Sequence, residues 1–471
     1  MRITRRRFLA GAAAGAAGAA GAGGIYELVD RLASSPARPA AARRLPREQH
    51  LLEGQATITD EGVEVLVPPL HHRLVTARVA AGTDLRAAQA ELERRLRELE
   101  ERFEPTPAGL GVTVGWGLPY FRRHVPGAAR AYLPLDVRAS RERDRPVGAL
   151  LDAVRFPSDP KETVLEDNDV AVLLRSDRLD HVDAGAKAIF DGFDALERTS
   201  VRNGFVGGGF SGRQSLPKQM AVAAGVAGAE LIPDGAQLFL GFTSTQRATL
   251  GPGRIANLET LGYAHDPKGY FRGGTAMHVS HVAEDLEAWY LNFDFSQRVS
   301  TAFKPGFDSL RPGAQTVRQA PKDVSSVAEV ERGYHRFGAI GHSAAIQTSS
   351  RLTRRHVAPD GTVYDAGTAI PQRADFNTLD NPFAWSSQPE RDRMRDNPEA
   401  GVHFVVFNPT SDDFHRNRLA MDGVLPDGTK LRFPPGSRGQ GFNAVLRTTH
   451  RQNFLVPPRV HGSFPLAELR G

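Results

Sequence analysis

Leu74-Val75-Thr76-Ala77-Arg78-Val79-Ala80, then Asp84, then a run rich in Leu, Glu and Arg as far as residue 101, is the stretch whose reading decides the fold. Its first seven residues have the β-branched and small apolar content of a strand. Asp84 is a residue type that caps helices by accepting from free backbone N–H groups, and the run behind it has the composition of a long helix. Outward from this unit, Gly111-Val112-Thr113-Val114-Gly115-Trp116 reads as a second strand and Asp169-Val170-Ala171-Val172-Leu173-Leu174-Arg175 as a third. A helix is expected over residues 180–196. Strand–helix–strand repeated in this way is the order of a ferredoxin-like unit.

The second half follows the same plan without any repeat visible at the level of residues. Gln237-Leu238-Phe239-Leu240-Gly241-Phe242 reads as a strand, and Ala276-Met277-His278-Val279-Ser280-His281-Val282 as another, with a helix expected from Glu284. Val402-His403-Phe404-Val405-Val406-Phe407 is a strand leading into a helix near Asp412. The expected class is therefore α+β: two tandem ferredoxin-like halves of the dimeric α+β barrel type, with antiparallel sheets. The expected divisions are 1–47 (signal and linker), 48–225 (first half) and 226–471 (second half), with the junction near residues 221–234.

The N-terminus carries Thr4-Arg5-Arg6-Arg7-Phe8-Leu9-Ala10, followed by almost pure Ala and Gly over residues 10–24. A basic start before an apolar segment is the order of an export signal. Consecutive arginines before a weakly hydrophobic core are the form read by the twin-arginine translocase. The chain is expected to leave the cytoplasm folded, with an uncleaved signal acting as a membrane anchor as the alternative. Small residues around positions 37–42 offer a cleavage region, and the Ala-, Pro- and Arg-rich stretch over 25–50 reads as a linker.

Composition excludes several chemistries. Of 471 residues none is cysteine, so disulfides, thiolate metal sites and cysteine nucleophiles are absent. The net charge is +5, and Arg2, Arg5, Arg6 and Arg7 account for most of it, which leaves no basic surface for nucleic acid. Short patterns also mislead. Gly207, Gly209 and Gly212 satisfy G-x-G-x-x-G, but residues 213–218 contain Pro217 and are not expected to open a helix, so a glycine loop is the reading. Ser215-Leu216-Pro217-Lys218 matches S-x-x-K without its companion motifs. His278 and His281 stand three apart on a strand, hence on opposite faces, and adjacent His71 and His72 part in the same way.

Several segments, taken in order, resemble the dye-decolourising haem peroxidases. Residues 239–246 resemble that family's G-F-x-D-G segment. Gly273-Gly274-Thr275-Ala276-Met277, with the strand and the helix carrying Trp289, is similar to its G-G-S/T-Y strand–helix–W unit. Gly341-His342-Ser343-Ala344-Ala345-Ile346 is similar to the segment bearing the proximal haem histidine. Ile370-Pro371-Gln372-Arg373-Ala374-Asp375-Phe376 resembles the stretch with the distal arginine, and residues 402–419 resemble the last strand and helix. Upstream, Gly117-Leu118-Pro119-Tyr120-Phe121 and residues 169–174 stand where the family has G-L-G-P-S-L-F and a hydrophobic strand.

The resemblance implies haem b in the C-terminal half, hydrogen peroxide as oxidant and an unidentified reducing substrate; a homo-oligomer is left open by the sequence. It implies His342 as the iron ligand, with His356 as a rival that lies nearer to Arg373. A neutral imidazole is the usual proximal ligand. Arg373 would stabilise charge as the peroxide bond breaks, and an acid–base group must move a proton between the peroxide oxygens. Where the family has its distal aspartate this chain has Ser244, whose hydroxyl cannot take a proton near neutral pH. Asp375, two residues beyond Arg373, is the candidate substitute if both face one side. Three readings follow: a peroxidase with weak turnover, a haem-binding or haem-handling protein without turnover, and a haem-free binding module.

Overall fold

The structure is a computed structural model that describes residues 26–33, 48–60, 63–207, 215–234, 236, 238–242, 257–306, 324–379, 398–433 and 441–469. Strand β1 (His71–Val79) is followed by helix α1 (Leu85–Arg102), whose N-cap Asp84 accepts from the backbone N–H groups of Arg86 and Ala87. Leu85, Ala88, Leu92, Leu96 and Leu99 recur at helical spacing on the buried face of α1. Removing each such leucine from water is worth about 1.5–3 kcal/mol. Strands β2 (Gly111–Gly117) and β3 (Val170–Ser176), helix α2 (Leu179–Phe190) and strand β4 (Leu196–Phe205) complete the first half.

Here one expectation is corrected. The helix read over 180–196 stops at Phe190, and Leu196 instead opens β4. Gly192 takes a left-handed conformation (φ 64°) that turns the chain between them. The strand escapes notice because its inward positions are polar: Ser200 and Arg202 are buried, and Arg202 pairs with Glu166.

In the second half, β5 (Thr275–Glu284) precedes the short helices α3 (Leu286–Leu291) and α4 (Phe295–Ala302). Helix α5 (His342–Ser350), strands β6 (Gln372–Arg373), β7 (Phe376–Thr378) and β8 (Gly401–Asn408), helix α6 (Ser411–Met421) and strand β9 (Leu446–Val456) follow. Glu284 ends a strand rather than starting a helix; Asp285 is the cap of α3 and accepts from the Ala288 N–H at 2.8 Å.

Residues 238–242 form a turn, not the strand read there. Gly241 has φ 84°, and its N–H donates to the Leu238 carbonyl. The carbonyls of Leu240 and Phe239 accept from Trp289 Nε1 (3.0 Å) and Tyr290 Oη (2.7 Å) instead of from a neighbouring strand. A helix does begin after the glycine loop, over Leu216–Ala223. Ser215 caps it by accepting from the Lys218 N–H, with Pro217 in its first turn, where a missing N–H costs nothing.

Pairing makes each half a four-stranded antiparallel sheet, β4-β1-β3-β2 and β9-β5-β8-β7. In both, the first and third strands are central and the fourth and second are at the edges, which is the ferredoxin-like order. The edges then join: β7 pairs with β4 through Asn377 and Phe205, and β9 with β2 through Phe454–Gly117 and Leu455–Trp116. Eight strands thus close into a ring, with β6 added beside β8 and residues 164–165 beside β9.

Leu74, Leu173, Met277, Val279, Phe376, Val405 and Phe454 fill the centre of the ring from both halves. Closure leaves no long free edge between the sheets. Helices α1 and α2 cover the outer face of the first sheet. The last residues return to that half, where Trp116 Nε1 and Tyr120 Oη donate to the carbonyls of Gly462 and Pro465. No helix among the described residues is long and apolar enough to cross a membrane.

Candidate functional site

The outer face of the second sheet meets α6 where Phe414 packs on His278 and Val406, and elsewhere stands off from its helices. Between it and α4, α5 and α6 lies a cavity. Alternation along the strands decides what the sheet offers: Ser280, Val282 and Glu284 point into the cavity from β5, and Val402, Phe404 and Val406 from β8. The intervening residues Met277, Val279 and Val405 face the ring interior. Apolar side chains predominate, with Leu240, Phe242, Phe303, Ile346, Phe414 and Phe442 closing the helical side.

His342 is the first residue of α5. The chain is held there by close approach: a Cβ on Gly341 would stand 2.1 Å from the Phe303 carbonyl oxygen, and the Ala344 N–H donates to that same oxygen at 3.0 Å. Glycine is the residue that permits such contact. The His342 ring packs against Phe442, with centroids 4.5 Å apart. By surface area it is only half-buried, yet protein surrounds it on all sides, because what it exposes faces the cavity. Its Nδ1 is buried with no hydrogen-bond partner among the described residues. Burial, and then the charges of Arg373 and Arg418, push its pKa down to about 3, so the imidazole is neutral.

Arg373 and Asp375 reach the same cavity from one extended segment, as their i, i+2 spacing predicts. Arg373 Nε lies 3.4 Å from Asp375 Oδ1, and Asp375 is only 4% exposed. Gln347 lies one turn along α5 from Ser343, donates to its Oγ at 3.1 Å, and accepts from the Ser325 N–H. At the far wall Arg451 and Arg418 share Asp159, at 2.7 and 3.3 Å. Burial, and then Arg373, lower the pKa of Arg351 to about 10.

The structure separates the two candidate ligands. His356 sits on a two-residue hairpin strand, its Nε2 against the Thr260 carbonyl, and is not part of the cavity wall. Ser244 lies outside the described residues, as do Gly209 and Gly212 of the glycine loop and Arg5, Arg6 and Arg7 of the signal. His278 and His281 do part to opposite faces: His278 stacks on Phe414 at 3.4 Å, outside the ring, and His281 lies 5.0 Å from His403 within it. His71 meets Asp30 while His72 stacks on Phe376. Among the described residues no three His, Asp or Glu side chains gather as a metal site.

Glu284 was missed by sequence reasoning. It is 8% exposed, its Oε2 has no hydrogen-bond partner, and burial followed by the Asp375 charge raises its pKa to about 8. Its signal was present: a glutamate at the i+4 position of Ser280 on a strand whose cavity-facing positions are otherwise uncharged.

Residues 69–458 match the model of a family described as one of unknown function (DUF7405). The chain belongs to the DUF7405 family. No curated protein sequence matches this DUF7405 chain. In three dimensions it is similar to DyPB from Rhodococcus jostii RHA1, at 16% identity and a TM-score of 0.48, over 85% of this chain and 96% of that one. It is also similar to a DyP-type peroxidase protein from Shewanella oneidensis, at 14% identity and a TM-score of 0.47, over 84% of this chain and 94% of that one. For the encapsulated DyP-type peroxidase from Mycobacterium smegmatis the values are 13% and 0.47, over 84% of this chain and 95% of that one. Likenesses at this level assign no residue its role.

Proposed function

We propose that this chain binds haem b through His342 and uses hydrogen peroxide to oxidise an electron donor, as a peroxidase of the dye-decolourising kind. One observation carries the reading: a neutral, inward-facing imidazole shares an apolar cavity with an arginine and a buried carboxylate. The residues fit the group. A neutral imidazole has the free lone pair that ferric haem takes, and what the His342 ring exposes faces the apolar cavity. Four arginines (Arg351, Arg373, Arg418 and Arg451) line the cavity against Asp159, Asp375 and the Asp422 that pairs with Arg418, so one positive charge is in excess once Glu284 is protonated. That surplus suits a group bearing carboxylates of its own.

When bound, haem would supply the iron that activates peroxide. The chain's own residues then have separate duties. Arg373 holds a fixed positive charge where negative charge develops. Asp375 holds a proton acceptor at Oδ1, kept in place by Arg373. The apolar side chains exclude water from both. Titration of the purified protein with haemin tests the reading. A Soret band should form, vanish in His342→Ala and persist in His356→Ala; persistence in both would remove the His342 assignment. Peroxide-dependent bleaching of an anthraquinone dye separates turnover from binding alone. Its absence in a haem-loaded protein would favour the haem-binding reading, to which Ser244 at the family's aspartate position already lends weight.

Export through the twin-arginine translocase belongs to the same proposal, since a protein loaded with its cofactor in the cytoplasm must cross the membrane folded. The paired guanidinium groups of Arg5 and Arg6 support it. Replacing both by lysine should retain the precursor in the cytoplasm, and unchanged export of that variant would refute the route.

A further inference from the structure

The cavity has a neighbour. Beyond the end of β5 an open cleft is lined by Asp285, Glu287, Glu399 and Arg447. Among the described residues only Glu284 and Leu446 line both spaces. Leu446 has no ionisable group. Glu284 is therefore the one polar side chain spanning the wall between the surface cleft and the cavity, and its Oε2 is held by no hydrogen bond.

We propose that Glu284 is the proton relay between the solvent-facing cleft and the cavity that contains His342, Arg373 and Asp375. The inference rests on the peroxidase reading above. Reduction of one hydrogen peroxide to two waters takes up two electrons and two protons; the electrons come from the reducing substrate, an oxidisable organic donor. Each proton would leave the Glu284 carboxyl on the cavity side, toward the Asp375 carboxylate or water, and the resulting Glu284 carboxylate would be reprotonated by water of the cleft. Among the described residues no other ionisable side chain lines both spaces.

The surroundings suit that task. Burial and then Asp375 raise the pKa of Glu284 to about 8, so it is mostly protonated at neutral pH yet able to release its proton. Arg373 lines the same cavity from the segment that bears Asp375; Asp285 and Glu287 line the cleft beside α3, and Tyr290 of that helix is near enough to feel the Glu284 charge. Glu399 is engaged with Arg447 at 3.0 Å. Among the described residues none hydrogen-bonds Glu284 Oε2, which stays beside the Asp375 charge.

Infrared spectroscopy of the protein without haem reads the proton directly. A protonated buried carboxyl band should be present at pH 7, titrate near pH 8, and disappear in Glu284→Gln; Asp375→Asn should lower its midpoint. With haemin bound, Glu284→Gln should slow the peroxide reaction at least tenfold while leaving haemin affinity unchanged, and Glu284→Asp should recover part of the rate. An absent band, or an undiminished rate in Glu284→Gln, overturns the relay and leaves the peroxidase reading standing. Failure of the wild-type protein to bind haemin ends both.

Discussion

Arg373 and Asp375 are two residues apart on one extended segment, and Arg373 Nε stands 3.4 Å from Asp375 Oδ1 at the wall of the cavity that His342 lines. The pair is asymmetric. Asp375 is almost wholly buried, whereas Arg373 keeps about a fifth of its side chain exposed, at 21%. The ion pair holds a carboxyl oxygen of Asp375 at the cavity wall, within reach of the space that His342 faces.

Asp375→Asn removes that acceptor while keeping the side-chain shape. In haem-loaded protein it should lower the rate of the peroxide reaction by about a hundredfold to ten-thousandfold, the usual worth of general acid–base assistance. Haemin affinity should hardly change. Stopped-flow absorbance after mixing with peroxide measures the first, and haemin titration the second. An unchanged rate would remove Asp375 from the chemistry.

Much of this arrangement was legible in the sequence, for reasons that can be named. Strands such as β3 and β8 announce themselves because their runs are apolar, and α1 because Asp84 caps a leucine-spaced run. The i, i+2 relation of Arg373 and Asp375 was readable because an extended chain returns to the same face at every second residue. Strand β4 was not, since Arg202 and Ser200 face the ring interior and break the expected alternation. Residues 238–242 misled in the opposite sense: an apolar run looks like a strand whether its carbonyls meet a neighbouring strand or, as here, the side chains of Trp289 and Tyr290. Glu284 was read as a helix start because Asp285, one residue later, carries the cap.

Stability should fall as the solution is acidified below pH 6.5. His50 and His342 have pKa values pushed down to about 3, chiefly by burial, and those of His72, His278, His281 and His403 lie well below the usual value for the same reason. Below pH 6.5 the unfolded chain takes up protons on these six side chains that the native protein refuses, so unfolding is favoured as pH falls. Each contributes up to about 1.4 kcal/mol per pH unit. Glu284 works the other way: its raised pKa stabilises the native state fully below about pH 4.5, and this is lost as pH rises through 8. One group cannot offset six. One unit below pH 6.5 the summed cost approaches the whole stability of a typical domain, about 5–15 kcal/mol. Thermal melts by circular dichroism should show Tm dropping steadily from pH 7 to 5.5. A flat profile to pH 5 would mean that these histidines are solvated.

Within the ring, Arg202 is fully buried and ion-paired with Glu166, and its Nε donates to Ser200 Oγ at 3.0 Å. Glu166 has little other support, a 3.3 Å hydrogen bond from Asn168 Nδ2. Bringing both charges into a ring interior costs several kcal/mol each, and their attraction offsets this only while both are present. Arg202→Met should therefore destabilise the protein by about 3–5 kcal/mol, the cost of leaving a buried charge without its partner. Adding Glu166→Gln to that variant removes the stranded carboxylate, and most of the lost stability should return. Urea unfolding of the wild type, both single variants and the double variant forms a closed cycle whose interaction energy isolates the pair. Additive losses would show that the ring interior hydrates Glu166, and that the β4 strand needs no partner for its arginine.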